Sequence, residues 1–457
     1  ARGGSESGNG GFAEISGKEN LIFRGVVDVG AANSASGNIL FDPKNITIAD
    51  GGIDNVEIND AFGESTGEDI TFDADQINNL TGTVTLQANN DITVDEDIIS
   101  GSINDLEFQA GRSIILNATI ELDGGNFSAL INDENAIAEW RDDGNSQFLM
   151  NADSQILSNG GNVTIDHGTF AGLDLGKVDI NDGATINSGT GNIAITGTGT
   201  SGDIDRNGIS IAKNGVVESR GNGTITLRGI AGDGGTNAND GIQVIFDSRV
   251  SSENGDITLI GTGSNLTTGG INRGIVVEDG GVIESTGSGN IILTGTGGNG
   301  TTDNYGLSIN TSGTIKSANG NINLTGTGGN GTGGGHTGIQ IQDNAVVEST
   351  GTGRITLTGT GGNGTNFNLG INLSSSSNIS AANGGIRITG IGGGTGESNT
   401  GIRLQDNVLV NSTGTGNIFL EGTGANGIGG NLGILINDNS TVSSVNGTIN
   451  LTGTSGF

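Results

Sequence analysis

A ten-residue motif recurs through the second half of this 457-residue chain. Four of its copies read GNIILTGTGG, GNINLTGTGG, GRITLTGTGG and GNIFLEGTGA, at residues 289–298, 320–329, 353–362 and 416–425. The first aliphatic residue of the motif recurs every 31 to 34 residues, at Ile193, Ile225, Ile257, Ile291, Ile322, Ile355, Ile386, Ile418 and Ile449. A spacing this even predicts a solenoid, a propeller or an array of small domains.

Each repeat contains three short strand patterns: Gly-Ile-x-Ile (as at 338–341), Val-x-Ser (as at 347–349) and the Ile-x-Leu of the motif. Propeller blades need four strands and aromatic punctuation, but here aromatic residues make up only 3%. A hydrophobic content of 32% suits the thin core of a solenoid better than a compact globule. We therefore predict an all-β chain that forms a single right-handed parallel β-helix (a β-solenoid) with three short strands per coil.

Two regions differ in the expected length of a coil. The similar segments 88–92 and 110–114 lie 22 residues apart, whereas the spacing is about 32 residues from about residue 182 onward. Residues 1–181 are therefore predicted to form less regular coils, and residues 182–457 regular 32-residue coils. We expect an excursion from the coils near 132–151, as a loop or a short helix around the only tryptophan, Trp140.

Equivalent residues in successive coils should stack about 4.8 Å apart, which predicts columns of like side chains. One inward column is expected to comprise Ile209, Ile242, Ile275, Leu307, Ile339, Ile371, Ile402 and Ile434. A second, of small residues, comprises Ser219, Ser252, Ser285, Ser317, Ser349, Ala381, Ser412 and Ser444. A third comprises Gly197, Gly229, Gly261, Gly295, Gly326, Gly359, Gly390, Gly422 and Gly453. The glycine column fits a corner with positive φ or a crowded backbone.

Charge limits the classes of partner. A net charge of −33 makes nucleic-acid binding through a basic surface unfavourable, and also disfavours anionic membranes. No apolar run reaches transmembrane length, so we expect no membrane insertion. The acidic residues are uneven, because only six of the 50 follow position 320. The chain has no cysteine, which suits a protein that is exported unfolded.

Catalytic motifs of β-helical carbohydrate-cleaving enzymes are not matched. His167 lies in Asp-His-Gly and His336 in Gly-His-Thr, without the acids and basic residues that polygalacturonase-type hydrolysis needs. The run Arg141-Asp142-Asp143 matches lyase chemistry only weakly. We expect both histidines to be solvated, assign no catalytic residue, and predict that the protein is not an enzyme.

Ligand motifs are equally sparse. The acidic turn Asp95-Glu96-Asp97 could bind a divalent cation weakly, but the glycine-rich loops lack calcium-binding aspartates and phosphate-binding lysines. We therefore assign no cofactor-binding or metal-binding residue. Thr-Gly-Thr segments suggest an ice-binding ladder, yet Arg228, Ile260 and Glu421 interrupt it and the central glycine suggests a bend. The stack of glycine-rich loops between residues 199 and 430 is where a binding function should be sought.

The opening ARGGSESGNGGFAEISGKENLIFRGVVDVGA…GNILFDPKNITIAD, the runs LQANNDITV and AGRSIILNATIELDGGNFSAL, and the GNITLTGTG-like repeats resemble filamentous-haemagglutinin-like exoproteins, especially large cyanobacterial members. The resemblance covers essentially the whole chain. It implies a right-handed parallel β-helix, two-partner secretion, and adhesive or matrix roles. The secretion domain with its Asn-Pro-Asn-Gly motif is not in this sequence, so the resemblance implies a shaft fragment of a longer exoprotein.

These inferences favour an extracellular structural and adhesive surface protein, associated with the outer membrane, whose partners are its own copies, surface glycans or other cells. One alternative is a subunit of an extracellular filament, sheath or surface layer that assembles end to end. A less favoured alternative is a glycan-active β-helix enzyme.

Overall fold

The computed structural model describes residues 2–4, 6–14, 27–31, 36–41, 43–50, 69–170, 176–200, 206–234, 239–265 and 269–456. Over these residues the chain is all-β, and its short parallel strands stack in the coils of a β-solenoid, which confirms the predicted fold class. The chain divides into two compact units. Unit 1 comprises residues 1–196 and 216–219, and unit 2 comprises residues 197–215 and 220–457.

Three parallel sheets form the described part of unit 1. The first sheet comprises Asn45–Ile48, Asp69–Phe72, Ile92–Val94, Ile114–Leu116, Gln147–Met150 and Lys177–Ile180. The second comprises Ile98–Ser100, Thr119–Leu122, Gln155–Leu157, Thr185–Asn187 and Val216–Glu218. The third comprises Phe12–Glu14, Asn38–Phe41, Gly82–Ala88, Ile103–Ala110, Asn126–Ile131, Val163–His167 and Ile193–Thr198.

The pairing register of unit 1 contains the predicted short period. Ile92 pairs with Ile114, 22 positions later, and all four of the core residues Val84, Leu106, Ile92 and Ile114 are buried. The excursion is a loop of turns over 132–146, which ends where the strand Gln147–Met150 rejoins the first sheet. No helix forms there, because Asn132 and Asp133 are buried and bonded to neighbouring coils.

The helix of unit 1 lies elsewhere, at Ala74–Asn78. Asp73 caps its amino terminus: the Asp73 side chain accepts from backbone amides, and the Gln76 side chain bonds back to the Asp73 amide. The pattern Asp-x-x-Gln is the sequence signal that could have predicted it. Among the described residues no helix is long and apolar enough to cross a membrane.

Unit 2 is also built from three parallel sheets. Its first sheet comprises Ile209–Ala212, Ile242–Ile245, Ile275–Glu278, Leu307–Ile309, Ile339–Ile341, Ile371–Leu373, Ile402–Leu404 and Ile434–Ile436. The second comprises Arg249–Ser252, Val282–Ser285, Thr314–Ser317, Val346–Ser349, Asn378–Ala381, Leu409–Ser412 and Thr441–Ser444. The third comprises Ile225–Ile230, Ile257–Thr262, Ile291–Thr296, Ile322–Thr327, Ile355–Thr360, Ile386–Ile391, Ile418–Thr423 and Ile449–Thr454. Two further short strands, Asn299–Gly300 and Asn330–Gly331, pair within the glycine-rich loops.

The predicted columns of unit 2 are confirmed by the strand register. Ile209 pairs with Ile242, and the same register continues residue by residue to Ile434. The serine column is in register from Ser252 to Ser444. Several of its buried hydroxyls donate to a carbonyl in the next turn, as Ser317 Oγ does to Gly320 at 2.8 Å. A small hydroxyl residue therefore closes each of these corners.

The glycine column is in register from Gly229 to Gly453, but one of its two predicted reasons is wrong. None of these glycines has positive φ, and each lies inside a strand of the third sheet rather than at a corner. Crowding is the reason: a Cβ on Gly326 would lie 2.1 Å from the carbonyl oxygen of Gly338. The third sheet and the start of the first sheet thus touch backbone to backbone.

This close contact separates two buried regions within the coils of unit 2. One contains the aliphatic columns, and the other contains polar side chains from the glycine-rich loops. From Gly241 onward, a buried side chain lies two residues before the Gly-Ile or Gly-Leu that begins each strand of the first sheet. These residues form a column: Asn239, Asn272, Asn304, His336, Asn368, Asn399 and Asn431. We call this column the asparagine ladder. Its members hydrogen-bond from coil to coil, as in Asn368 Nδ2 to Asn399 Oδ1 at 3.0 Å.

Candidate functional site

A cleft of about 530 Å³ opens in unit 2, where the glycine-rich loops stand beside the outward face of the first sheet. Its floor is an in-register column of that sheet, running from Gln340 through Asn372 to Arg403. Its rim is formed by loop residues, among them Asp303, Tyr305 and Phe367. Because Tyr305 lies three coils before Arg403, the cleft extends about 14 Å along the stack at the spacing of β-strands.

Phe367 is held in an unusual backbone conformation. Its φ is +58°, and its side chain is 50% exposed. Positive φ is a feature of this loop position, because the residue before each ladder member from Asn272 onward has it: Ile271, Asp303, Gly335, Phe367, Ser398 and Gly430. A left-handed conformation costs a residue with a Cβ about 1–2 kcal/mol, and glycine avoids this cost. Ile271 has the same conformation but does not line the cleft, so exposure of the Phe367 ring at the rim, and not its strain, makes it a candidate ligand contact.

The floor of the cleft is a directed chain of hydrogen bonds. Arg403 Nε donates to Asn372 Oδ1 at 2.8 Å, and Asn372 Nδ2 donates to Gln340 Oε1 at 2.9 Å. Gln340 Nε2 then donates to Gln342 Oε1 at 2.6 Å. Gln340 and Asn372 are almost fully buried, so the chain fixes their amide groups in single orientations. The floor therefore presents donors and acceptors in a preorganised order.

Asp303 and Tyr305 form the opposite end of the cleft. The Tyr305 hydroxyl donates to Asp303 Oδ1 at 3.1 Å. Burial, with the nearby Asp303 carboxylate, raises the pKa of Tyr305, so the phenol stays protonated and donates. Gly335 leaves room for this pair, because a Cβ there would lie 2.2 Å from Asp303 Oδ1.

Arg403 supplies the positive charge of the cleft. Its Nε is bonded to Asn372, and its Cζ lies 6.0 Å from the ring centroid of Phe367. Among the described residues no acceptor is hydrogen-bonded to its two terminal nitrogens. Burial lowers the pKa of Arg403, but an arginine stays ionised at physiological pH. The guanidinium is thus oriented, partly desolvated and available to a ligand.

No protein-family model matches the chain. No curated protein matches it in sequence. The residues of the cleft therefore have to be interpreted from their own chemistry.

His336 does not lie where we predicted. It is completely buried and takes the place of an asparagine in the ladder, so the prediction of a solvated histidine is wrong. Asn304 Nδ2 lies 3.1 Å from His336 Nδ1, and the His336 amide donates to Asn368 Oδ1. Burial lowers the pKa of His336, which keeps the imidazole neutral. Its location is structural, inside the loop stack.

The other residues considered for enzymatic chemistry are scattered in unit 1. His167 is half-buried at the end of the strand Val163–His167. Arg141 Nε donates to the Gly111 carbonyl at 2.7 Å, and its guanidinium lies 4.7 Å from the ring centroid of Phe170. Asp142 pairs with Lys44 and accepts from Asn90. These contacts tie the loop 132–146 to neighbouring coils.

The acidic turn considered for a cation makes contacts with the next coil. Asn117 Nδ2 donates to Asp95 Oδ1 at 2.6 Å, and the Thr119 amide donates to Asp97 Oδ1 at 2.8 Å. Over the part of the chain that the structure describes, no group of three or more acidic, histidine or cysteine side chains is placed to hold a metal ion. Cation binding at acidic turns stays an untested prediction.

The threonine segments form an exposed surface on the third sheet. Thr294, Thr325 and Thr358 pair in register, as do Thr296, Thr327 and Thr360. The expected bend at the intervening glycine is absent, because each strand runs straight through it, as in Ile322–Thr327. The expected interruptions are present: Ile260 pairs with Thr294, and Thr389 pairs with Glu421.

The glycine-rich loops that form the rim of the cleft were predicted from the sequence as the place of a binding function, but no site residue was assigned and the floor was not predicted. The floor residues alternate with the aliphatic column and read as ordinary outward positions. One signal was present in the sequence. The residues three positions before successive Gly-Ile or Gly-Leu pairs form a column, and this column includes Asp303, Gly335, Phe367 and Ser398. Phe367 is the one aromatic residue in this turn column, in which Ile271 is the other large apolar residue.

Proposed function

We propose that this chain is a structural and adhesive segment of an extracellular protein displayed at a bacterial cell surface, and that it binds surface glycans through the cleft. The segment is proposed to belong to a filamentous-haemagglutinin-like exoprotein exported by two-partner secretion. Stacked β-coils support such a role, because their backbone hydrogen bonds run from coil to coil and hold the cleft on a fixed scaffold.

The observation that carries the proposal is the pairing of the exposed Phe367 ring with the polar floor of the cleft. The C–H face of a sugar ring packs against an aromatic ring, while its hydroxyls need both donors and acceptors. The half-exposed side chains at the two ends of the hydrogen-bonded chain, Gln342 and Arg403, supply donors and an acceptor. The almost fully buried amides of Asn372 and Gln340 hold them in place. An open cleft of this kind suits part of a polymer better than an enclosed small metabolite.

We propose binding rather than cleavage. Hydrolysis of a glycosidic bond ordinarily uses two carboxyl groups on opposite sides of the bond. Asp303 is the one carboxyl group among the residues that line the cleft, and it is hydrogen-bonded to Tyr305. Release of reducing or unsaturated ends from a bound polysaccharide would overturn this part of the proposal.

The test compares the purified chain with its Phe367→Ala variant on an array of immobilised glycans and bacterial exopolysaccharides. We expect saturable binding to at least one glycan and a loss of about tenfold or more in the variant, as for a central aromatic contact. Equal binding by both proteins, or binding to none of the glycans, would overturn glycan adhesion.

Display at the cell surface is tested separately with antibodies raised against the purified chain. They should label intact cells of the source organism without permeabilisation. Labelling only after lysis would contradict the proposed location. The alternative of a filament subunit would be favoured if the purified chain sedimented as ordered filaments whether or not glycans were present.

A further inference from the structure

We infer that the cleft selects acidic saccharides, and that Arg403 binds the carboxylate of a uronic or similar sugar acid. This inference rests on the proposed glycan-binding function and specifies the class of ligand. It starts from the one cation among the residues that line the cleft.

The geometry of Arg403 favours a planar anion. Its Nε donates to Asn372 Oδ1, which fixes the plane of the guanidinium and leaves the two terminal nitrogens for a ligand. Two parallel N–H groups match the two oxygens of one carboxylate, and a bidentate pair of this kind is stronger than neutral hydrogen bonds. Asn372 is 4% exposed and acts as a positioning residue.

Arg403 differs from the arginines of unit 2 that form ion pairs with carboxylates. Arg273 forms ion pairs with Asp240 at 2.8 Å and Glu278 at 3.1 Å. Arg387 pairs with Glu421 at 2.9 Å. In contrast, no carboxylate among the described residues lies within salt-bridge distance of Arg403. A half-buried cation that forms no ion pair gains from a charged ligand.

The ring of Phe367 places the sugar beside this charge. Its centroid lies 6.0 Å from Arg403 Cζ, so a sugar packed on the exposed ring can direct a carboxylate toward the guanidinium. Toward the other end of the cleft, the Asp303 carboxylate accepts hydroxyl donors but repels a second acid. The cleft is thus polar from end to end, with its cationic end at Arg403.

The surrounding charge favours a sugar acid over a densely sulfated polymer. Only three basic residues follow position 320, and the whole chain has a net charge of −33. A polymer with several charges per sugar unit would be repelled by the protein and would find one cation to pair with. One carboxylate within the cleft fits the single guanidinium.

The experiment uses matched pairs of oligosaccharides that carry one galacturonate, glucuronate or mannuronate among neutral sugars, each beside its carboxyl-reduced neutral counterpart, and a sulfated glycan as a further arm. Binding to the full chain is measured by isothermal titration calorimetry. We expect the acid of at least one pair to bind about ten- to hundredfold more tightly than its neutral partner, as for a charge-assisted bidentate contact. The preference should decrease at high salt.

Three variants test which residues cause the preference for the acidic saccharide. Arg403→Gln should weaken binding of the acid much more than binding of its neutral counterpart, so that the preference for the acid is lost, and Arg403→Lys should restore part of that preference. Asn372→Leu should weaken the preference through misorientation of Arg403. Arg354→Gln is the matched control, since it removes an exposed arginine that lines a separate depression and should change nothing.

The outcomes separate this inference from the proposed function. Neutral sugars bound as tightly as their acids, an unchanged preference in Arg403→Gln, or a preference for the sulfated glycan would each overturn the inference while leaving glycan binding intact. If the full chain bound no saccharide of either kind here or on the glycan array, both proposals would fall. Circular dichroism of each variant verifies that the β-fold is kept.

Discussion

Asn304 Nδ2 lies 3.1 Å from Nδ1 of His336, and both side chains are completely buried. An amide nitrogen can only donate, so Nδ1 of His336 is the acceptor and the imidazole is neutral, with its proton on Nε2. Nε2 has no hydrogen-bond partner among the described residues. A histidine therefore occupies an asparagine position at some cost to the ladder.

The first prediction concerns the pH dependence of stability. Burial lowers the pKa of His336 below its ordinary value of 6.5, so below about pH 6.5 the unfolded chain takes up a proton that the folded chain does not. This contribution to stability is complete above pH 6.5 and is lost as the pH falls toward the lowered pKa. When the pH is lowered from 8 to 5, the Tm of His336→Asn in thermal unfolding should fall by less than the Tm of the wild type. His167→Asn is the control, and identical pH profiles for wild type and His336→Asn would contradict the prediction.

The second prediction concerns the backbone contact between the third and first sheets. In Gly326→Ala the new Cβ would lie 2.1 Å from the carbonyl oxygen of Gly338, and neither strand can move without disturbing its neighbours. We expect a loss of about 3 kcal/mol in unfolding free energy, measured by denaturant titration. Gly429→Ala is the matched control because no atom lies within 4 Å of its added Cβ. A stability loss in both variants alike would show that crowding is not the cause.

The third prediction compares a buried ion pair with an exposed one. Arg273→Met leaves the fully buried Asp240 carboxylate without its cation, which should cost about 3–5 kcal/mol. Arg387→Met removes an exposed pair with Glu421 and should cost less than about 1 kcal/mol. Chemical denaturation of the two variants at neutral pH measures the difference. Similar losses in both would mean that burial at Asp240 does not set the cost.

The fourth prediction separates folding from binding at the cleft. Phe367→Gly removes the left-handed strain and should raise stability by up to about 1 kcal/mol, because glycine or a small polar residue fills this position in neighbouring coils. The same change should weaken glycan binding. Thermal unfolding and glycan titration are measured on the same preparation. If Phe367→Gly were less stable than the wild type and still bound glycans fully, the proposed role of the Phe367 ring in binding would be refuted.

Periodicity predicted most of the scaffold, because the pairing of parallel coils depends only on equivalent positions. The column from Ile209 to Ile434 was predictable for this reason. The buried asparagine ladder was missed, since asparagine in a glycine-rich loop has the composition of a solvated turn. His336 was misplaced with it.

The cleft could not be derived from the same periodicity. It depends on how far each loop projects beside the first sheet, and the loops differ in length from coil to coil. The orientation of Arg403 depends on a side-chain contact with Asn372 in the preceding coil, which strand patterns do not encode. Of the cleft, the sequence showed only that Phe367 is the one aromatic residue at its position in the turn column.

The pairing of Ile291 with Ile322, and of Ile322 with Ile355, means that three successive coils present the same residue types to one another. A gene that encodes such a stack can lose or gain one whole repeat by slippage between near-identical segments. The coils on either side of the change would pair in the same register, so the strand pairing would not be disrupted. A change of one coil between residues 305 and 403 would therefore alter the cleft, whereas a change elsewhere in the stack would leave its residues intact.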